Sequence, residues 1–412
     1  MRKVWLAWAL LAQVAAAESP GAPPAAEGLR LVEALEAAPF ALVGEVRERA
    51  TLDLRGWRAT LLVETVLRGD AKRGALVPIA WEELSAQRAP RFTDGDRILV
   101  ALEPLPSGSL WRARFPDPQE YVRARAVAQR GQAFLRSPSL GSAQQLSHYL
   151  ALPAAERAGP AGQRHLLALA AEGERALAVS AAARLAQLGG APLDPGGAEL
   201  ALRALARADT DAALAAELLA WVERAQPEGL APRLDRALAE TPSPPASFVR
   251  ARGLLPGGLP AARLPGLLAD PEPARRAAAA SVAGAAERQQ LTALAGNDPA
   301  PEVRRAALRR LSELDGARAL EPILRAFSDR ERAVRHEAAQ LAAALGSEAV
   351  PRLREVALGW PAPAPETAVA SLALSSAPEA QAALRELADA HTDPKVRGLA
   401  GLAIGRPLGE AH

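Results

Sequence analysis

Asp298-Pro299-Ala300-Pro301-Glu302-Val303-Arg304-Arg305-Ala306-Ala307 and Asp329-Arg330-Glu331-Arg332-Ala333-Val334-Arg335-His336-Glu337-Ala338 are two copies of one phrase, 31 residues apart. An aspartate just before a helix caps its free N–H groups and suits the positive end of the dipole. Proline after it fits the first turn, where an amide proton has no intrahelical partner. Apolar stripes follow: Val303, Ala307, Leu311 and Leu314, then Leu320, Ile323, Leu324 and Phe327, then Val334, Ala338, Leu341 and Leu345, each on one helix face. Asp270-Pro271 lies 28 residues before Asp298, and Asp393-Pro394 lies 64 after Asp329, about two units of 32. The missing copy falls near Trp360 to Pro365, where a proline-rich turn replaces the aspartate. A period near 31 with two helices per unit predicts an α-solenoid over residues 140–412, clearest over 270–412.

This phrase resembles the HEAT-repeat family, in particular its short bilin-lyase-like class of unit. The resemblance implies a hydrogen-bonded ladder between successive repeats, built from the turn aspartate and the arginine six positions on. Asp270 with Arg276, Asp298 with Arg304, and Asp329 with Arg335 carry that spacing, and Asp393 with Arg397 is a copy shortened by two. Repeat arrays of this kind bind proteins on an extended helical surface, so a protein partner is the expectation.

Upstream, residues 29–116 predict a small all-β unit, a barrel or a sandwich. Short apolar runs at 41–46, 59–67, 75–81, 97–102 and 110–113 read as five strands, separated by Arg68-Gly69-Asp70, Asp94-Gly95-Asp96 and Pro106-Ser107-Gly108. Arg30 to Ala38 reads as a short amphipathic helix before them, and 117–139 as a connecting helix after them. The stretches Leu42-Val43-Gly44-Glu45-Val46, Val63-Glu64-Thr65-Val66-Leu67-Arg68-Gly69 and Phe92-Thr93-Asp94-Gly95-Asp96-Arg97-Ile98-Leu99 are similar to an exported OB-like, netrin-like β-domain. Metalloproteinase inhibitors of that group use an N-terminal cysteine, which this chain lacks, so their activity is not implied. Trp57, Trp81 and Trp111 read as core before ligand face.

Residues 1–17 carry the export pattern: basic Arg2 and Lys3, an apolar run from Val4 to Ala17, and small residues at Ala15-Ala16-Ala17. The run is shorter than the ~20 residues of a membrane-spanning helix, so cleavage after Ala17 and an extracytoplasmic, soluble product without a permanent membrane span are expected. Residues 18–28 are a Pro/Ala/Gly/Ser linker.

The 412 residues exceed usual single-domain length. There is no cysteine, which excludes disulfides, thiolate metal sites and thiol nucleophiles. Without Arg2 and Lys3 the chain holds 47 basic and 47 acidic residues. Such a balance disfavours nucleic acid, whose binding relies on neutralising phosphates.

No phosphate loop, dinucleotide fingerprint or Gly-x-Ser-x-Gly elbow is present. His336-Glu337-Ala338-Ala339-Gln340 misses the zinc-protease phrase because Gln340 stands where a second imidazole is needed. The residues therefore predict no catalytic, cofactor or metal site. They predict an exported, non-enzymatic protein-binding scaffold, with Arg305, Arg309 and Trp360 as candidate contacts. Two alternatives stand beside it: a carboxylate-dependent hydrolase acting where the β-unit meets the helices, and a binder of anionic polymer through Arg305 and Arg309.

Overall fold

The structure, a computed structural model, describes residues 30–404 except 53–55, 83–91, 106, 108, 116, 129–132 and 190–191. The expected export signal (1–17) and linker (18–28) lie outside the described residues. The chain divides into two compact units, residues 1–251 and 252–412.

The first unit opens with helix α1 (Leu31–Ala37) and strands β1 (Phe40–Thr51), β2 (Gly56–Arg68), β3 (Leu76–Glu82) and β4 (Arg97–Pro104). Two short helices follow, α2 (Ser109–Arg114) and α3 (Pro118–Arg123), then β5 (Arg125–Val127) and β6 (Phe134–Arg136). Strand order is β1-β2-β3-β5-β4, and β4 returns to β1, so five strands close on themselves with β6 continuing along β4. All pairings are antiparallel except β3 with β5. Of the barrel or sandwich expected here, the closed strand order makes it a small β-barrel. Ile98, Leu99, Val100, Ala101 and Leu102 are all fully buried, because β4 is covered on one face by the barrel interior and α1 also packs against it.

The β phrases acquire physical reasons. A Cβ on Gly44 would lie 2.4 Å from the Leu62 carbonyl oxygen, so only glycine lets β1 approach β2 there. Phe92 is buried edge-on between Trp81 and Phe134, each 5.0 Å away between ring centres. Asp94 accepts from Arg49 N and Asp96 from Thr93 N, which fixes the turn around the left-handed Gly95.

Two expectations are corrected. Residues 110–113 are helical, because a spacing of four brings Trp111 and Phe115 into one cluster with Ala80 and Ala124. The connecting helix expected over 117–139 covers only Pro118–Arg123, capped by Asp117 on Gln119 N at 2.8 Å, and β5 and β6 take the rest of the segment. The β-region therefore reaches residue 136.

Helices α4 (Leu140–Ala151), α5 (Ala154–Arg157), α6 (Pro160–Glu172), α7 (Arg175–Leu188), α8 (Pro195–Ala208), α9 (Ala212–Ala225), α10 (Leu230–Glu240) and α11 (Ala246–Leu254) complete the first unit, whose boundary falls inside α11. Helix α4 packs on β2, and α1 packs on α7. Four of seven α1 residues are buried, Leu31, Val32, Ala34 and Leu35. The facing helix α7 buries Ala178, Ala181, Ala182 and Ala183, whose small side chains permit the approach. The division thus differs from the expected one between β-unit and helices.

The second unit stacks α12 (Leu264–Leu268), α13 (Pro273–Val282), α14 (Arg288–Asn297), α15 (Pro301–Asp315), α16 (Leu320–Arg325), α17 (Arg332–Ala344), α18 (Val350–Gly359), α19 (Ala364–Leu374), α20 (Pro378–Ala390) and α21 (Pro394–Ala403). Helices α13, α15, α17, α19 and α21 pack in succession as one layer, and α14 with α16 and α18 with α20 form a second. Val303, Ala307 and Leu311 are buried as one stripe. In α17 the buried track is Val334, Ala338 and Ala342, while Leu341 and Leu345 are only half-buried. Alanine holds the track where neighbouring helices approach closely.

Candidate functional site

The turns that open the successive first-layer helices carry a repeated polar device. Arg276 donates through Nη1 to the Asp270 and Pro271 carbonyls at 2.8 and 3.1 Å. Its Nε and Nη2 both reach the Asp298 carboxylate of the next turn at 2.8 Å. Arg304 repeats this, holding the Asp298 and Pro299 carbonyls and clasping Asp329 through two bonds of 2.7 Å. Asp298 and Asp329 in turn accept from Ala300 N and Glu331 N, the N-cap residues of α15 and α17. Each carboxylate thus closes the turn that leads into its helix, short of capping the helix itself, while bound to the previous repeat. Paired fork-to-carboxylate bonds of this kind are the strong class of hydrogen bond. Asp270 opens the series and is paired with Arg275; that bond, outweighing burial, holds its carboxyl below the usual range.

Further along, the device changes. Arg335 holds the Asp329 and Arg330 carbonyls at 2.7 and 3.1 Å. The position of the next aspartate is taken by Trp360, which is half-buried at the end of α18. Arg397 donates to the carbonyls of His391 and Thr392, which places His391, not Asp393, at the aspartate position of that turn. The expected Asp393–Arg397 rung is corrected accordingly: Asp393 caps Lys395 N at 2.8 Å, and the buried His391 contacts the Ala357 carbonyl at 2.9 Å. Glu366 stands six positions after Trp360, where the other turns carry arginine, and pairs with Lys395 at 2.9 Å.

A second set of pairs crosses the repeats on α15 and α17. Arg305 and Arg309 both bind Glu337, at 3.0 and 2.5 Å. Burial pushes the Glu337 carboxyl up, but hydrogen bonds and charge from Arg309 and then Arg305 outweigh it and hold it below the usual carboxylate range. The two arginines read as free cations for an anionic polymer are thus engaged with a buried glutamate. Sequence inspection passed over Glu337 as part of a failed zinc phrase, although it lies 32 residues from Arg305, one repeat away. Among the described residues, no group of three potential metal ligands occurs.

In the first unit a cavity of about 550 Å³ lies where α1 meets the helices, lined in part by Glu33, Glu36, Arg157, Arg184 and Gln187. Glu36 accepts from the Tyr149 hydroxyl and pairs with Arg184 at 2.6 Å. Burial first, and then the neighbouring Glu36, push the Tyr149 hydroxyl up, so it stays protonated and donating. Glu33 binds Gln187 and accepts from Arg30 N at 3.1 Å at the start of α1. Val32 N donates to Ser180 Oγ at 2.8 Å, and Arg30 pairs with Glu217 at 2.7 Å. The two carboxylates at this junction are therefore bonded to the groups that fix α1 in place.

Of the tryptophans, Trp81, Trp111 and Trp221 are buried, and Trp57 is half-buried under the Arg49 guanidinium, 3.9 Å from its ring centre. No helix among the described residues is long and apolar enough to cross a membrane.

No curated protein matches the chain. Residues 288–364, which span α14 to the first residue of α19 and contain the Arg304–Asp329 rung, the Glu337 cluster and the Arg335 turn, match the family model for HEAT repeats.

Proposed function

We propose that the protein is an exported, non-enzymatic scaffold that binds a protein partner on the helical surface of its HEAT-like repeats. The observation that carries this reading is the pair of rungs Arg276–Asp298 and Arg304–Asp329. They lock successive turns to one another through side chains that are almost fully buried, so the outward faces are held in fixed relation while their own side chains stay free for contact. Pre-fixed surfaces lose less freedom on binding, which suits recognition. HEAT repeats commonly mediate protein–protein interaction, in keeping with the match over residues 288–364.

The test uses the full chain expressed with its native N-terminus. Cross-linking in the extracytoplasmic fraction should yield a discrete partner, and charge reversals on exposed helix positions of the second unit should weaken capture without lowering thermal stability. Recovery only from the cytoplasm with Arg2 intact would refute export. The hydrolase alternative requires turnover that disappears in Glu36→Gln; turnover of that kind would displace the scaffold reading.

A further inference from the structure

Arg276 and Arg304 divide each guanidinium between two tasks: Nη1 grips two carbonyls of its own turn, and the Nε/Nη2 edge grips the carboxylate of the next. Arg335 performs the first task with the same bonds to the carbonyls six and five residues before it. Its second edge has no such partner. Trp360 occupies the aspartate position, and among the described residues no carboxylate pairs with Arg335. Glu366, at the arginine position of the next turn, pairs through one carboxylate oxygen with Lys395 and makes no bond to Arg335 among the described residues. The result is a half-buried guanidinium already oriented by its own turn, with its fork open where two sister forks each hold an aspartate. Apolar surface adjoins the turn: Trp360 is half-buried, and Leu358 is 49% exposed.

We propose that the open edge of Arg335 is a recognition site for a carboxylate side chain of a protein partner, an aspartate or glutamate in an extended acidic segment, which completes the rung from outside. The proposal deepens the scaffold reading and rests on it. A guanidinium fork matches a carboxylate bidentately. Because its own turn already holds it, little side-chain freedom remains to be lost on binding. Flanking apolar residues of the segment meet Trp360 and Leu358.

The experiment titrates N-acetyl-aspartate amide into full-length protein carrying ¹⁵N-arginine and follows the Nε–H resonance of Arg335, assigned by its loss in Arg335→Lys. The expected result is a saturable shift of that resonance, absent with sodium chloride at matched ionic strength. In Trp360→Asp an internal carboxylate fills the fork, so the probe response should vanish while the thermal midpoint stays at or above wild type. Should Trp360→Asp not fold, Arg335→Lys decides: it keeps the charge but loses the fork, and a captured acidic partner peptide should weaken by about tenfold or more. A non-saturable shift, one reproduced by chloride, or one retained in Trp360→Asp overturns the site. A partner whose capture is indifferent to Arg335→Lys removes the site and leaves the scaffold reading standing.

Discussion

Replacing Arg304 by alanine removes one complete rung, and its effect can be set against Arg335→Ala, which removes half of one. Arg304 has a side chain 3% exposed, and its partner Asp329 is 10% exposed. Removing one member of such a buried pair typically costs ~3–5 kcal/mol, because the other charge is left uncompensated. Asp329 keeps its bond from Glu331 N, so the lower end, about 3 kcal/mol, is the expected figure for Arg304→Ala. Arg335 forms only the two carbonyl bonds and is half-buried, so its loss should cost about 1 kcal/mol. For a unit of this size each kcal/mol moves the midpoint by roughly 2–4 °C, so the two variants should differ by roughly 4–8 °C. Thermal and urea unfolding of the full chain would measure this. Amide exchange over residues 298–329 should show the loss localised around the rung. Asp329→Ala in the Arg304→Ala background should then add little, as expected for two members of one interaction. Equal shifts for Arg304→Ala and Arg335→Ala would refute the assignment of stability to the carboxylate half of the ladder.

Acid should loosen the second unit. Arg309 and Arg305 hold Glu337 below its ordinary value against the opposing effect of burial, and Arg275 does the same for Asp270. Groups depressed on folding stabilise fully above their unfolded pKa and lose that contribution as pH falls through the folded value. The urea midpoint should therefore drop as pH falls below the ordinary carboxylate values of 4.5 for Glu337 and 3.8 for Asp270 toward their lower folded ones. Glu337→Gln should flatten that drop, and an unchanged midpoint across the range would contradict the pairing. His165 is lowered from its ordinary 6.5 by burial first, then by His148 and Arg164. Its unfolded form takes the proton more readily, so stability should decline as pH falls from about 6.5 toward the folded value. His148→Gln should raise the His165 titration midpoint seen by NMR; an unmoved midpoint removes the coupling. Finally, Gly44→Ala drives a Cβ against the Leu62 carbonyl and should cost about 1–3 kcal/mol. Wild-type thermal stability in that variant would mean the two strands can separate without penalty.

The helical half was legible because its signals are periodic. An aspartate, a helix-starting proline and an arginine recur at a constant stride, and the apolar residues between them fall on one helical face. Asp393 misled because its Asp-Pro phrase fits the pattern by letter. What defines the turn is the pair of carbonyls that the arginine holds, and Arg397 counts back to His391 and Thr392. The same subtraction of one repeat would have linked Glu337 to Arg305. In the β-region, Phe40–Thr51, Gly56–Arg68, Leu76–Glu82 and Arg97–Pro104 announced themselves through alternating or continuous apolar runs. The closing strand Arg125–Val127 has three residues, too few to show a period, and its pairing with β3 is non-local. Helix α1 was recognised, but not its burial against α7, since a short apolar stretch does not name the surface that covers it.

The turn at Trp360 differs from its neighbours in more than one residue. Its aspartate position holds tryptophan, its arginine position holds Glu366, and the following turn supplies Lys395 to meet that glutamate. The polarity of the spine is therefore inverted across this joint, with a cation awaiting an anion on one side and an anion paired with a cation on the other. Loss of the aspartate alone would leave Arg335 able to compete for any acid supplied by the next arginine-bearing repeat. In the inverted turn the acid, Glu366, meets Lys395 of the following turn instead. The Glu366–Lys395 pair is worth only ~0.2–1 kcal/mol, since Lys395 is largely exposed. Its consequence is directional: it ties Glu366 to the following turn, so the carboxylate that completes the proposed Arg335 site comes from outside the chain.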